Sequence, residues 1–84
     1  MEVLVGYWIN DNRFLCSFGT IKNKDGELVE PMGEYHKSFD RFDYYYLYGD
    51  RVLSVINETA KSMMKAAMID EMEKQGGSYE KHSQ

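Results

Sequence analysis

Residues 3–18 read VLVGYWINDNRFLCSF, and the spacing of their apolar side chains decides the fold class. Every second residue is apolar on both sides of a polar turn at residues 10–12, at Val3, Val5, Tyr7, Ile9, Phe14, Cys16 and Phe18. A period of two is typical of β-strands, because successive side chains point to opposite faces. With a two-residue loop at residues 11–12, Ile9 pairs with Phe14, Tyr7 with Cys16 and Val5 with Phe18. We therefore predict a β-hairpin over residues 2–21 with these side chains on its core face.

A third strand is predicted after this hairpin. The Asp25-Gly26 pair is a strong signal for a second tight turn, and residues 27–30 follow it as a short apolar and acidic strand. Pro31 is expected to end the strand, because proline has no backbone N–H to donate to a neighbouring strand. The residues after it, 31–38, are therefore predicted as a loop.

Residues 39–48, FDRFDYYYLY, support two interpretations. Their density of tyrosine favours a strand. Ser38 as an N-cap, followed by Phe39 and Phe42, favours a short helix instead. We predict a fourth strand over residues 43–48.

A long helix is predicted for residues 51–75, with Asp50 as its N-cap and Gly76-Gly77 as its end. One apolar arc is predicted to pack on the sheet: Val52, Val55, Ile56, Ala60, Met63, Ala66 and Ala67. A second apolar group lies outside that arc: Met64, Met68, Ile69 and Met72. This group either meets the protein's own sheet or forms a seam for self-association. The predicted fold is α+β, an antiparallel meander of three or four strands packed against one long C-terminal helix.

The length and composition indicate one small globular domain. The 84 residues leave room for one core, predicted over residues 1–77 with a flexible tail at 78–84. A hydrophobic content of 43% with a single proline argues against intrinsic disorder. The chain has no apolar run of the roughly 18 residues that a membrane span needs, and its start does not resemble a signal peptide. Cys16 is the only cysteine, so a reducing, cytoplasmic location is expected.

The sequence gives little support for an enzyme. His36 and His82 have no spacing typical of a metal site, and His36 is predicted to be a solvated loop residue. Cys16 is predicted to be a buried structural thiol rather than a nucleophile. The acids between residues 40 and 50 are interpreted as solvated. We therefore expect no catalytic residues, no metal and no cofactor.

The segment from residue 25 to residue 50 is the most informative one for function. It contains seven acids and two bases, a local charge of −5 in a chain whose net charge is −4. Tyrosine offers a large contact area at low entropic cost, and the surrounding acids would steer it towards a basic partner. The predicted partner-binding residues are Glu34, Tyr35, Asp40, Phe42, Asp43, Tyr44, Tyr45, Tyr46 and Tyr48.

The first functional hypothesis is a non-enzymatic protein–protein interaction module. It would act as a small inhibitor or regulator that docks this surface on a basic site of a partner, for example a nucleic-acid-processing enzyme. One alternative is a structural homodimer, with a seam of Met64, Met68, Ile69 and Met72. The other is a small nucleic-acid-binding domain that uses Trp8 and the basic first hairpin. Nucleic acid is the less favoured partner, because the aromatic segment is acidic and would repel phosphate.

Overall fold

The computed structural model describes residues 4–54 and 56–75. Within these residues the chain forms six strands, a 3₁₀ turn and one α-helix. In chain order they are β1 Val5–Asn10, β2 Arg13–Ser17, β3 Ile21–Lys22, β4 Leu28–His36, the 3₁₀ turn Lys37–Phe39, β5 Arg41–Tyr48, β6 Arg51–Leu53 and α1 Glu58–Lys74. The predictions made for Val3, for Val55 and for residues 76–84 lie outside the described residues.

The strands form one antiparallel sheet in the order β1-β2-β4-β5-β6, and β3 pairs with the start of β4. Apart from the short β3, neighbouring strands follow one another along the chain, so the sheet is a meander, and α1 packs across one of its faces. This is the predicted α+β architecture, with more strands than the four expected at most. The fourth predicted strand is confirmed as β5, which begins two residues earlier than expected, at Arg41.

The first hairpin forms as predicted, but its register differs by one residue. Trp8 pairs with Phe14 and Gly6 pairs with Cys16, with an irregularity between Trp8 and Asn10. The Asn10 side chain causes this local change, because its Oδ1 accepts from the N–H groups of Asn12 at 2.8 Å and Arg13 at 3.0 Å. A shift of one residue turns every side chain of the strand to the other face.

As a result, the predicted core residues of β1 are exposed. The exposed fractions are 52% for Val5, 51% for Tyr7 and 45% for Ile9. Trp8 packs instead against two buried rings, and its ring centroid lies 5.3 Å from that of Phe14 and 6.4 Å from that of Tyr35. The prediction that one face of the hairpin carries all of the alternating apolar residues is therefore wrong for β1.

Pro31 does not end a strand, contrary to the prediction. It lies inside β4 and pairs with Tyr46 of β5. Its carbonyl accepts from the Phe18 N–H at 3.0 Å, so its missing N–H faces the break between β2 and β3. At that break the sheet has no regular ladder for the proline to interrupt. The predicted loop after Pro31 is therefore the second half of a long central strand.

The helix begins later than predicted. Gly49, with φ at +63°, and Asp50 form a tight turn that returns the chain to the sheet as β6, which pairs with β5. Asn57, not Asp50, caps α1: its side chain accepts from the Ala60 N–H at 2.8 Å. A tight turn with glycine at positive φ favours a hairpin, and this explains why residues 51–53 continue the sheet.

The core lies between α1 and the sheet. Met64, Met68 and Met72 are the buried residues of α1, at 7%, 0% and 0% exposure, because residues four apart share one face of a helix. Met63, predicted for the core, is 69% exposed. The seam predicted for self-association is therefore wrong: its three methionines lie inside the protomer, and Ile69 packs against the same cluster.

The sheet has two sides, which we call the helix face and the open face. The helix face is the side that α1 covers, and it includes Trp8, Phe14, Cys16, Gly33 and Tyr35. The open face is the opposite side, and it includes Val5, Tyr7, Arg13, Glu34 and Tyr45. Directly paired residues of an antiparallel sheet share a face, so the register fixes this division.

Candidate functional site

The predicted partner-binding residues do not form one surface. Alternation along β5 divides its aromatic side chains between the two faces. Glu34, Asp43 and Tyr45 lie on the open face. The others lie on the helix face or in the turn before β5: Tyr35, Asp40, Phe42, Tyr44, Tyr46 and Tyr48.

Tyr35 is a core residue rather than a contact residue. Its side chain is fully buried, and its ring lies 4.6 Å from the ring of Phe42 between centroids. Its hydroxyl donates to Asp40 Oδ1 at 2.9 Å. Asp40 itself has a left-handed backbone, with φ at +50°, and it follows the 3₁₀ turn. The Tyr35–Asp40 pair therefore holds the β4–β5 connection in place.

The open face carries a connected polar group that we call the Glu34 cluster: Arg13, Glu34, His36, Asp43 and Tyr45. Glu34 is its centre, with Arg13 Nη2 at 3.2 Å from one carboxylate oxygen. The Tyr45 hydroxyl donates to the other oxygen at 2.8 Å. His36 Nε2 lies 3.5 Å from Glu34 and 3.0 Å from Asp43. Arg13, His36 and Tyr45 thus contact Glu34 directly, and Asp43 is joined to the cluster through His36.

The electrostatics of the cluster favour a neutral tyrosine beside paired charges. Burial, followed by the hydrogen bond to Glu34, raises the pKa of Tyr45 to about 12. Arg41 Nη2 lies 3.2 Å from Asp43, so both of the central carboxylates have a basic neighbour. Asp43 is still 44% exposed at its side chain, whereas Glu34 is only 17% exposed. Asp43 and the Tyr45 ring are therefore the parts of the predicted surface that a partner can reach on this face.

Apolar side chains flank the Glu34 cluster on the open face. Val5, Tyr7 and Ile9 of β1 lie on one side, and Val52 of β6, 61% exposed, lies on the other. Between them, Ser17 Oγ donates to the Glu30 carboxylate. The exposed side of an antiparallel sheet is usually polar, so this mixture of paired charges and apolar residues is typical of a contact surface.

The helix face has a recess beside α1. It has a volume of about 300 Å³ and is lined by Phe18, Ile21, Pro31, Tyr46, Ala60, Met63 and Met64. Farther along β5, the Phe42 and Tyr44 rings stack 6.5 Å apart, and Lys65 Nζ lies 5.1 Å from the Phe42 ring centroid. Burial and then the charge of Asp43 raise the pKa of Tyr44 to about 12. These aromatic residues line the edge of the core.

Two residues of the cluster were missed by the sequence analysis. His36 was predicted to be solvated, but it ends β4 and its side chain is only 19% exposed between two carboxylates. Arg13 was counted only as part of a basic hairpin, yet it pairs with Glu34. Both residues come together because Arg13 pairs with His36 across β2 and β4. A prediction that residue 13 of β2 pairs with residue 36 of β4 would have brought these side chains together.

The remaining candidate residues, Cys16 and Trp8, lie on the helix face. Cys16 is buried, as predicted, and burial raises the pKa of its thiol to about 12, with a smaller effect from Glu71. Trp8 is partly buried and packs against the core cluster, so only part of its ring is open to stack on a base as the nucleic-acid alternative requires. Among the described residues, no group of three or more His, Cys, Asp or Glu side chains could hold a metal ion. Within the same residues no helix is long and apolar enough to cross a membrane.

Comparison of the chain with protein family models, with curated proteins and with solved structures finds no match.

Proposed function

We propose that this protein is a non-enzymatic protein-binding module that docks its open face on a partner with a basic surface. The observation that carries the proposal is the Glu34 cluster, which holds Asp43 and Tyr45 side by side in the middle of an exposed sheet face. Both residues belong to the surface that the sequence predicts for partner binding. Tyr35 is buried and Phe42, Tyr44, Tyr46 and Tyr48 lie on the helix face, so Glu34, Asp43 and Tyr45 are the predicted residues that the open face offers to a partner.

Charge supports a basic partner. Asp43 lies in the middle of β5, and Asp40 and Asp50 are exposed just beyond its two ends. The segment from residue 25 to residue 50 has seven acids and two bases. A negative field of this kind steers a positively charged partner and raises its association rate, with a strong dependence on salt.

Preorganisation supports a protein rather than a small ligand. The contacts of Tyr45 with Glu34 and of Asp43 with Arg41 hold both side chains before any partner arrives. A positioned tyrosine loses little side-chain entropy on binding, and its ring offers a large contact area. The flanking apolar residues of β1 and β6 extend this area across the whole face.

Occlusion is the mode of action that fits a small module of this kind. A partner that binds nucleic acid has lysines and arginines arranged for phosphates, and carboxylates can occupy the same cations. A small acidic domain on that site would act as an inhibitor or regulator by competing with the phosphate-bearing ligand.

The test compares two charge reversals in an affinity-capture experiment. Asp43→Lys changes the centre of the open face, and Asp70→Lys makes the same change of charge on α1. The two positions are matched, because Asp70 is also in an ion pair, with Lys74 at 3.3 Å, and is 65% exposed. We expect the wild type and Asp70→Lys to retain a basic protein that Asp43→Lys loses, with weaker retention at high salt.

The same experiment can contradict the proposal. Equal retention by both variants would show that the open face does not contribute to binding, and retention that does not change with salt would exclude a charge-driven contact. Circular dichroism of each variant checks that the fold is intact, since both side chains are at the surface.

A further inference from the structure

We propose that two copies of this chain associate through β1, which pairs with the partner's β1 in antiparallel orientation around a two-fold axis at Tyr7. The contact would join two sheets into one and bring two open faces side by side. This inference does not rest on the proposed function, because it depends on the outer edge of β1 and on no residue of the Glu34 cluster.

Among the described residues, β1 has a strand neighbour only on its β2 side, so its outer backbone groups lie at an edge of the sheet. The Phe18 N–H donates to the Pro31 carbonyl on the β4 side, so alternation turns the backbone groups of Cys16 and Phe14 towards β4 as well. Gly6 lies opposite Cys16, and Trp8 lies opposite Phe14. The N–H and carbonyl groups of Gly6 and Trp8 therefore point away from β2, towards the free edge.

The contact of Gly6 with α1 supports this orientation. Its carbonyl oxygen accepts a hydrogen bond from the Gln75 Nε2 amide at 2.6 Å, and Gln75 lies just after the last turn of the helix. A donor from outside the sheet can reach this oxygen only if the oxygen points outwards. A carbonyl has two lone pairs, so the partner's strand would share or displace the Gln75 contact.

β1 has an irregularity between Trp8 and Asn10 and a contact with Gln75 at Gly6, but its side chains lack the charges and the proline that usually protect an edge strand. Its sequence, VGYWIN, has no charged residue and no proline, and its side chains on the open face are about half exposed. Lysine, proline and very short length are common protections against edge-to-edge pairing. The strand at the other edge, β6, is protected by such features: it has three residues and begins with Arg51.

Two registers with two-fold symmetry pair five residues of β1, one centred on Tyr7 and one centred on Trp8, and only the first keeps the irregularity between Trp8 and Asn10 at the end of the contact. In the register centred on Tyr7, Gly6 faces the partner's Trp8, and these outward-pointing residues form the hydrogen-bonded pairs. Tyr7 then faces the partner's Tyr7, and Val5 faces the partner's Ile9. The half-exposed apolar residues of both copies would pack against each other on the open face, as cross-strand pairs do within a sheet.

Charge does not oppose a second copy at this edge. Like-charged protomers repel each other, but β1 is uncharged and lies three strands away from β5 in the sheet order. At roughly 4.8 Å per strand this separation is about 14 Å. The Debye length at physiological salt is about 8 Å, so the acidic segments of two copies would be screened at the seam.

The first test is the mass of the protein in solution, measured by analytical ultracentrifugation over a range of concentrations. We expect the wild type to approach twice the 9.9 kDa of the protomer at about 100 µM. Tyr7→Lys places a charge at the two-fold axis and is expected to weaken the association at least tenfold. Val52→Lys is the matched control, because Val52 is an exposed residue of the opposite edge strand.

The second test is cross-linking, which examines the register directly. At the axis the two Cα atoms of residue 7 would be about 4.5 Å apart, within the range that a disulfide spans. Tyr7→Cys is expected to form a covalent dimer under mild oxidation. Val5→Cys is expected to stay monomeric under the same conditions, because the two copies of residue 5 would be about 14 Å apart along the strands. The buried Cys16 thiol does not compete.

The outcomes are decisive. A wild type that stays monomeric at about 100 µM, or equal dimer formation by Tyr7→Lys and Val52→Lys, would overturn the inference. Cross-linking at residue 5 but not at residue 7 would overturn the register. Asp43→Lys should leave the solution mass unchanged, which separates this result from a failure of the proposed function.

Discussion

The two faces of the sheet are built from the same strands, yet they differ in the interactions that stabilise them. On the helix face, one row across the sheet is wholly aromatic: Trp8, Phe14, Tyr35 and Phe42. On the open face, the adjacent row changes from apolar to charged: Tyr7, Leu15, Glu34 and Asp43. Tight packing stabilises the first face, whereas partly exposed ion pairs of small individual value connect the second.

The comparison shows that an edge strand takes its orientation from its neighbours. Both faces of β1 are apolar, so its own sequence does not decide which side is buried. The charged residues Arg13 of β2 and Glu34 of β4 pair with each other on the side that the helix does not cover, because burial under the helix would remove them from water and from their partners. They determine the open face, and β1 must follow through its pairing with β2.

The largest expected effect separates two methionines of the same helix. Met68→Ala removes a fully buried side chain from the helix face and should lower the free energy of unfolding by about 2–5 kcal/mol, through lost burial and the remaining cavity. Met63→Ala, at a position 69% exposed, should change it by no more than about 0.5 kcal/mol. Urea unfolding followed by circular dichroism measures both values.

This pair of substitutions also decides between the two possible orientations of α1. The apolar arc predicted from the sequence contains Met63, and the structure buries Met68 instead. A larger loss of stability for Met63→Ala than for Met68→Ala would show that the helix packs in the rotation predicted from the sequence.

A smaller effect on the free energy of unfolding is expected at Gly33 of β4, which Met68 of α1 contacts closely. A Cβ atom added at Gly33 would lie 2.5 Å from Met68 Sδ, so Gly33→Ala should cost about 1–3 kcal/mol as overpacking. In a Met68→Ala background the sulfur is gone and the cost should fall close to zero. A double-mutant cycle measures this coupling, and an equal cost in both backgrounds would mean that Gly33 is not the contact point.

Much of the fold follows from local signals in the sequence. Alternation and the turn residues Asp25-Gly26 are enough to predict a meander followed by a helix, whereas the turn at Gly49 and Asp50 was interpreted as the start of the helix. The register of the first hairpin was not predictable in this way, because the Asn10 side chain binds backbone groups of the turn and shifts the pairing. Pro31 was misleading for a related reason: its effect depends on the break between β2 and β3, which is a tertiary feature.

The candidate site was predictable only in part. The sequence correctly predicts β5, but the division of its aromatic residues depends on which face α1 covers. Glu34, Asp43 and Tyr45 were singled out by composition, whereas Arg13 and His36 join them only through strand pairing between distant parts of the chain. The methionines with four-residue spacing were visible in the sequence, and the competing arc of smaller residues concealed their role as the core stripe.

The smallest expected effect lies on the open face, at the hydrogen bond from Tyr45 to Glu34. Tyr45→Phe keeps the ring and removes the hydroxyl, and it should cost about 0.5–1.5 kcal/mol at neutral pH, because Arg13 and water still reach the carboxylate. Tyr7→Phe is the control for neutral pH: it removes a hydroxyl from a half-exposed ring on the same face. An equal loss in both variants would show that the hydrogen bond to Glu34 contributes no stability.

The same hydroxyl makes stability sensitive to alkaline pH. The folded protein holds the protons of Tyr44 and Tyr45 until the pH approaches about 12, whereas an unfolded tyrosine releases its proton near pH 10. The folded state therefore binds more protons in this window, so the free energy of unfolding should fall as the pH rises from about 10 towards 12. The Cys16 thiol, whose pKa is also raised to about 12, adds to this decline; Tyr45→Phe removes one of the three groups and should flatten the decline, which thermal unfolding across the window measures. A variant that declines as steeply as the wild type would mean that Tyr45 loses its proton equally easily in the folded and unfolded chain, and the contact with Glu34 would then be too weak to hold the Glu34 cluster together.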